Sequence, residues 1–252
     1  MDNEILNQLV ALSNNLGRPE LDYAMMGEGN TSARVDAESF YVKVSGSELR
    51  TATTSSFVRC SMERVLALMD VPDLDDKKTK GGLVAAKVDP ADPGHPSIEA
   101  LLHALCLRLP GIKFVGHTHP VAINAITCSV NFEVAFAGRL FPDEIVVCGV
   151  APVLVPYTDP GIPLALEVGS RLNKYLEEYG EPPRVVIIQN HGLIALGRTP
   201  QQVEDITRME VKVARILLGT YSAGGPRFMT QHDVDRIHTR PDELYRKQKL
   251  GV

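Results

Sequence analysis

The sequence predicts a single globular domain of the mixed α/β class. Three observations carry this. Helical apolar repeats such as Ile5, Leu9, Leu12 and Leu16 alternate with short β-branched or aromatic runs such as Phe40 to Val44 and Arg184 to Gln189. A chain of 252 residues with 44% hydrophobic content can bury one substantial core. No internal repeat or low-complexity tract interrupts it. The net charge of -5 leaves no basic surface on which a phosphate polymer would release counterions, so nucleic acid is not an expected partner. Cys60, Cys106, Cys128 and Cys148 stand apart without a CxxC pair and read as reduced core thiols. The acidic start Met1-Asp2-Asn3-Glu4 lacks a signal pattern, and the longest apolar stretch, Ile145 to Val155, is broken by Gly149 and Pro152. A soluble, cytoplasmic protein with no membrane partner is expected.

Taken in order, Asp2 to Leu16 predicts an opening helix, stopped by Gly17 and Pro19. Phe40 to Val44 predicts a strand ending in Ser45-Gly46, and Ser61 to Asp70 a short helix. From Val71 to Pro96 periodicity is lost among Pro, Gly, Asp and Lys, which predicts a long surface loop. Ser97 is placed to cap a helix reaching Leu109, and Ile112 to Gly116 reads as a buried strand delivering His117, with another helix from Pro120. Further strands are predicted at Glu133 to Phe136, Ile145 to Cys148, Val153 to Val155, Arg184 to Gln189 and Leu193 to Leu196, with a helix from Pro163 to about Glu178. Thr199-Pro200 with Gln202 reads as a capping box for a helix to Leu218, followed by a polar tail to Val252. The expected division is a domain over 1–225 and a tail over 226–252 that packs on the domain or on a subunit interface.

Chemistry concentrates at Gly116-His117-Thr118-His119-Pro120 and Gln189-Asn190-His191-Gly192, each after a predicted strand. Residues two apart on an extended chain share a face, so His117 and His119 can aim at one centre, with His191 arriving from a second strand. Imidazole suits zinc and its first-row neighbours, although buried histidines of a core explain a lone His-x-His equally well. Glu99 sits in the first turn of an otherwise apolar helix, where the helix dipole alone favours a carboxylate. His103 shares the Glu99 face at i,i+4 and reads as a residue that packs or orients Glu99 rather than a ligand. Gly27-Glu28-Gly29-Asn30-Thr31-Ser32, Ser45-Gly46-Ser47 and Ser97 are turns or caps whose amides and hydroxyls can meet an anion, or can be ordinary turns.

The segments Gly29-Asn30-Thr31-Ser32, Val44-Ser45-Gly46, Pro96-Ser97-Ile98-Glu99 with His117-Thr118-His119-Pro120, and Asn190-His191-Gly192-Leu193-Ile194-Ala195 occur in an order that resembles the class II aldolase/adducin family. The likeness spans roughly residues 2–218. It implies a central, mostly antiparallel sheet flanked by helices and assembly as a homotetramer. It also implies a divalent cation, zinc first with manganese, cobalt or iron(II) as alternatives, held by His117, His119 and His191. Glu99 would be ligand or catalytic base, and Gly29, Asn30, Ser45, Gly46 and Ser97 an anion cradle. Two departures stand out. Ile98 occupies the place of a serine that supplies a phosphate donor in sugar-phosphate aldolases, and Gly138-Arg139-Leu140-Phe141 has no tyrosine where those enzymes bring one from a neighbouring subunit. The expected activity is a metal-dependent carbon–carbon lyase, first retro-aldol cleavage of a ketose or sugar phosphate through a stabilised enediolate. A decarboxylase, epimerase or dehydratase of a hydroxy- or keto-acid comes second, and a non-catalytic adducin-like interaction domain third.

Overall fold

Helix α1 (Asp2–Leu16) forms where the apolar repeat places it, with Leu9, Leu12 and Leu16 buried on one face and the Gly17 amide closing the last turn on the Ser13 carbonyl. The computed structural model describes residues 2–72 and 74–250; Met1, Asp73, Gly251 and Val252, which the expected N-terminus, long loop and tail include, lie outside them. Strands β1 (Asn30–Arg34), β2 (Ser39–Lys43) and β3 (Phe57–Ser61) follow, then α2 (Met62–Leu66), α3 (Asp76–Ala85), α4 (Ala100–Leu107) and β4 (Phe114–Thr118). Next come α5 (Val121–Thr127), α6 (Phe132–Ala135), α7 (Pro142–Cys148), β5 (Val153–Val155), α8 (Ile162–Tyr179), β6 (Val185–Ile188) and β7 (Gly192–Gly197). The chain ends in α9 (Pro200–Ser222), α10 (Gln231–Thr239) and α11 (Pro241–Leu250).

The strands form one seven-stranded sheet in the order β3-β2-β1-β4-β7-β6-β5, antiparallel at every pairing except β5 with β6. Alternation along the central strands feeds two cores. Val115, Val186, Ile188, Ile194 and Leu196 face one layer with α4 and α8, while Phe114, Val185, Ile187, Leu193 and Ala195 face the other with α1, α5 and α9. Both faces are covered, so β6 and β7 read in sequence as continuous apolar runs. The expected single-domain, mostly antiparallel architecture is the observed one.

Several local expectations are corrected. The stretch Val71 to Pro96 contains α3, capped by the Asp75 carboxylate, which accepts the Lys78 amide at 2.7 Å. Only Thr79 and Leu83 of this helix are buried, too few to write a helical period. Glu133 to Phe136 falls in one turn of helix rather than a strand, and Ile145 to Cys148 lies in α7. In α7, Pro142 opens the helix with Asp143 and Glu144 in its first turn, and burial of Ile145, Val146, Val147 and Cys148 on all sides removes the amphipathic signal. The helix expected from Ser97 begins at Ala100, with Glu99 as its cap, and His117 lies inside β4 rather than after it. Strands β1 and β3 lie outside the expected elements. β1 is small and polar, yet wholly internal to the sheet, its hydroxyls satisfied by Ser13 (2.6 Å from Thr31) and His103 (2.6 Å from Ser32). α9 runs past Leu218 to Ser222, and the polar tail holds α10, whose Val234 and Ile237 pack on Ile145 and Val146.

Candidate metal centre

Sheet register decides which residues meet. Asn30 on β1 lies opposite His117 on β4, and His117 lies opposite Ile194 on β7, so the start of β1, the end of β4 and the start of β7 lie side by side at one end of the central strands. Just beyond β4, the His119 amide is held by the Tyr23 carbonyl at 2.8 Å. His191 sits in the tight β6–β7 turn, where Asn190 takes the left-handed conformation (φ 53°) that asparagine tolerates better than other side chains. Gly29, with φ 68°, lets β1 begin against the His117 carbonyl, where a Cβ would stand 2.6 Å from that oxygen.

The three imidazoles converge edge-on, with His117 Nε2 3.0 Å from His119 Nε2 and 3.3 Å from His191 Nε2. Three nitrogens bound to one tetrahedral cation at about 2.0–2.1 Å stand about 3.3 Å apart, close to the two separations from His117, and all three donor atoms lie within 4.8 Å of one another, so the donor set suits a divalent metal. His117 Nδ1 lies 2.9 Å from the Leu193 carbonyl, which can only accept, so a ring hydrogen sits there and Nε2 faces the centre. Nε2 is protonated toward Glu99 in the metal-free chain and free to offer its lone pair once a cation displaces that proton. Glu99 Oε1 faces the same centre, 3.1 Å from His191 Nε2 and 3.4 Å from His117 Nε2.

Behind Glu99 runs a buried hydrogen-bond chain. Asn30 Nδ2 donates to Glu99 Oε2, so Asn30 Oδ1 must accept from His103 Nε2, and His103 Nδ1 accepts from the Ser32 hydroxyl at 2.6 Å. His103 is therefore an orienting residue one step removed from Glu99. Burial, followed by the neighbouring His117, pushes its pKa down to about 3, which keeps it neutral. Burial acts to raise the Glu99 carboxyl, but His117 and His191, as charges and donors, hold it well below the usual carboxylate range. Burial and then the two companion imidazoles push His119 down to about 3.

The expected anion turns are brought together in part. An isolated bridge between Val44 and Pro96 joins the two loops, with the Ser45 amide donating to the His95 carbonyl at 2.8 Å and the Ser97 amide to the Lys43 carbonyl at 3.3 Å. Ser45 and Gly46 are exposed, Ser97 is half-buried beside Glu99, and the Ser97 hydroxyl accepts the Glu99 amide at 3.3 Å. Asn30 is buried, with one hydrogen of its amide directed at Glu99.

Sequence reasoning missed Lys43. Its side chain is 2% exposed, its ammonium donates to the Ser47 carbonyl and, at 3.5 Å, to that of Gly27, and burial lowers its pKa against the opposing pull of Glu99. A lysine at an inward position of an apolar strand, immediately before Val44-Ser45-Gly46, was the available signal. Arg139 is 2% exposed and bound to Glu144 at 2.9 Å and Glu210 at 3.4 Å, so it belongs to a buried ionic cluster. Ile98 turns toward Gly161, whose Cβ position lies 3.4 Å from its Cδ1, beneath the loop that Tyr157 ties to Gln189.

The sequence profile of the class II aldolase and adducin N-terminal domain family matches residues 7–218. A Bacillus subtilis protein described as the uncharacterized oxidoreductase YuxG is 31% identical over 206 residues, 78% of this chain; the chain spans only 27% of that relative's length. The 3-oxo-tetronate 4-phosphate decarboxylase of Haemophilus influenzae is 25% identical over 228 residues, covering 89% of this chain and 93% of that one. Among solved structures, the N-terminal class II aldolase domain of a conserved protein from Thermoplasma acidophilum superposes with a TM-score of 0.65 at 28% identity, over 86% of this chain and 95% of that one.

Proposed function

We propose, on the premise that this chain belongs to the class II aldolase and adducin N-terminal domain family, that it is a metal-dependent carbon–carbon lyase acting on a small hydroxy- or oxo-substrate that carries an anionic group. The observation that carries the reading is the convergence of His117, His119 and His191 with Glu99 at one end of the central strands. A scaffold has no physical need to gather three imidazoles and a depressed carboxylate. His117, His119 and His191 would hold the cation, zinc by the chemistry of its nitrogen ligands, with Glu99 beside them. A divalent cation bound there supplies a Lewis acid for the negative charge left on the substrate when the bond breaks.

The chain's own residues do the rest. Glu99, a carboxylate at neutral pH, takes the proton from the substrate hydroxyl whose bond to carbon becomes a carbonyl, and returns it to the carbon fragment. Asn30 fixes Oε2 and leaves Oε1 facing the histidines, while His103 fixes Asn30. Ser45, Gly46 and Ser97 receive the anionic end of the substrate, with the Lys43 ammonium beneath them adding positive field. Retro-aldol cleavage is the first reading. Decarboxylation of a keto-acid is the second, favoured by the near full-length match to the Haemophilus influenzae decarboxylase. Among the described residues no helix is long and apolar enough to cross a membrane. A cytoplasmic location is part of the proposal. Assembly as a homotetramer, with residues 226–252 against the domain or a neighbouring subunit, is part of the same proposal.

Metal analysis of the purified protein, followed by a screen of hydroxy-keto acids and sugar phosphates for released aldehyde and released carbon dioxide, tests the reading. Glu99→Gln should keep the fold and much of the metal and lose turnover, because an amide cannot serve as the base. A protein that binds no divalent cation, or a Glu99→Gln variant that turns over normally, would refute it.

A further inference from the structure

We propose that the chain carries a second anion site, fitted to a small organic phosphate, at the opposite end of the sheet from the histidines, in a pocket of about 430 Å³ lined by Arg34, Lys113 and Arg198. The strands that carry the metal centre also build this pocket. β1 runs from Asn30 to Arg34, β4 runs back from Thr118 to Phe114 with Lys113 before it, and β7 runs from Gly192 to Gly197 with Arg198 after it. The ladder continues through these ends: the Arg34 amide donates to the Lys113 carbonyl at 2.8 Å, and the Lys113 amide to the Gly197 carbonyl at 2.9 Å. Three cationic side chains therefore leave neighbouring backbone positions.

Among the described residues, none of the three side chains has a hydrogen bond or an ion pair, and Arg34 Nε is shielded from solvent with no partner. Asp36, the acidic residue lining the pocket, already holds the Arg59 guanidinium at 2.6 Å and accepts from Ser39 at 2.8 Å, so its charge is answered elsewhere. In a chain of net charge -5, three uncompensated cations around one pocket repel one another. A bound anion removes that repulsion. The 23-residue α9 begins at the rim, with Thr199 and Pro200 lining the pocket, and its N-terminal dipole adds to the positive field. Guanidinium groups pair with carboxylate and phosphate oxygens alike, but three cations around one pocket answer the charge of a phosphate monoester, about -1.5 to -2 at neutral pH, better than that of a single carboxylate. Ile5, Val35 and Pro200 supply apolar wall, and the volume lies in the range of pockets for organic ligands, about 300–1,000 Å³, so the phosphate would carry a carbon substituent.

The test uses calorimetry on the full chain with phenyl phosphate and, separately, inorganic phosphate. Lys113 and Arg198 are exposed, so the double variant Lys113→Gln/Arg198→Gln is expected to fold normally, checked by an unchanged unfolding midpoint. The wild type should show a one-to-one component that binds phenyl phosphate more tightly than inorganic phosphate. That component should weaken at least about tenfold in the double variant and in Arg34→Gln, given the strength of charge-assisted contacts, and persist in Ser97→Ala. Equal affinity in the double variant would overturn the proposal. So would loss of the component in Ser97→Ala with its retention in the double variant, which would place the probe among the histidines, as would the absence of saturable binding to the wild type.

Discussion

Replacing Asn30 by alanine tests the idea that Glu99 is held from behind. In the folded chain Asn30 is 4% exposed and makes two side-chain hydrogen bonds, one to Glu99 and one from the fully buried His103. Removing it leaves the His103 Nε2 hydrogen buried and unpaired, at a cost of about 1–3 kcal/mol. Glu99 also loses a charge-assisted bond, but its side chain is 13% exposed and keeps its contacts with His117 and His191, so water and those imidazoles offset part of that loss. The sum is about 2–4 kcal/mol of folding stability, measurable by urea denaturation with chelator present so that metal binding does not mask the difference. Activity should fall further than stability implies, because a Glu99 released from Oε2 no longer presents Oε1 in one orientation. Asn30→Asp retains an acceptor for His103 and places a second carboxylate beside Glu99, and is expected to lose activity as well. A stability loss under about 0.5 kcal/mol in Asn30→Ala, with normal turnover, would show that the chain from Ser32 to Glu99 does not constrain the site.

Other outcomes follow from the same geometry. Because His103 titrates near 3 when folded and near its ordinary 6.5 when unfolded, the unfolded state takes up a proton first as pH falls. Its contribution to stability is complete above about pH 6.5 and is lost toward pH 3 at up to about 1.4 kcal/mol per pH unit, a slope that His103→Gln should remove when unfolding is measured at pH 7 and pH 5. In Gly192→Ala the new Cβ would stand 2.5 Å from the Thr118 carbonyl oxygen and 2.8 Å from His119 Cδ2. That variant should lose about 1–3 kcal/mol and bind its cation more weakly by metal analysis; unchanged metal content would mean His119 is not a ligand. Arg139→Met strands Glu144 and Glu210, which are 1% and 0% exposed, and should cost about 3–5 kcal/mol in chemical denaturation. Single replacement of His117, His119 or His191 by alanine should each deplete bound metal strongly, and retention in all three would eliminate the centre.

Elements with local signals are legible in the residue pattern. The period of α1, the cap and proline opening α9, and the apolar runs of β6 and β7 all appear where residue pattern places them, because burial on one helix stripe or on both strand faces leaves a readable trace. The same pattern singles out His117, His119, His191 and Glu99 as chemically costly residues in apolar company. Other features were decided only by tertiary structure. β1 is a strand because β2 and β4 pair with both its edges and because Ser13 and His103 satisfy its hydroxyls, against the turn preference of Gly-Asn-Thr-Ser. Ile145 to Cys148 is helical because α9 and α10 enclose it and Arg139 neutralises Glu144, none of which a local window contains. The order Ser32, His103, Asn30, Glu99 joins residues up to 73 positions apart, and the role of Lys43 depends on two loops meeting over its ammonium. Long-range pairing of this kind has no sequence period, since the free energy that selects it comes from satisfying buried polar groups across the fold rather than from the preferences of neighbouring residues.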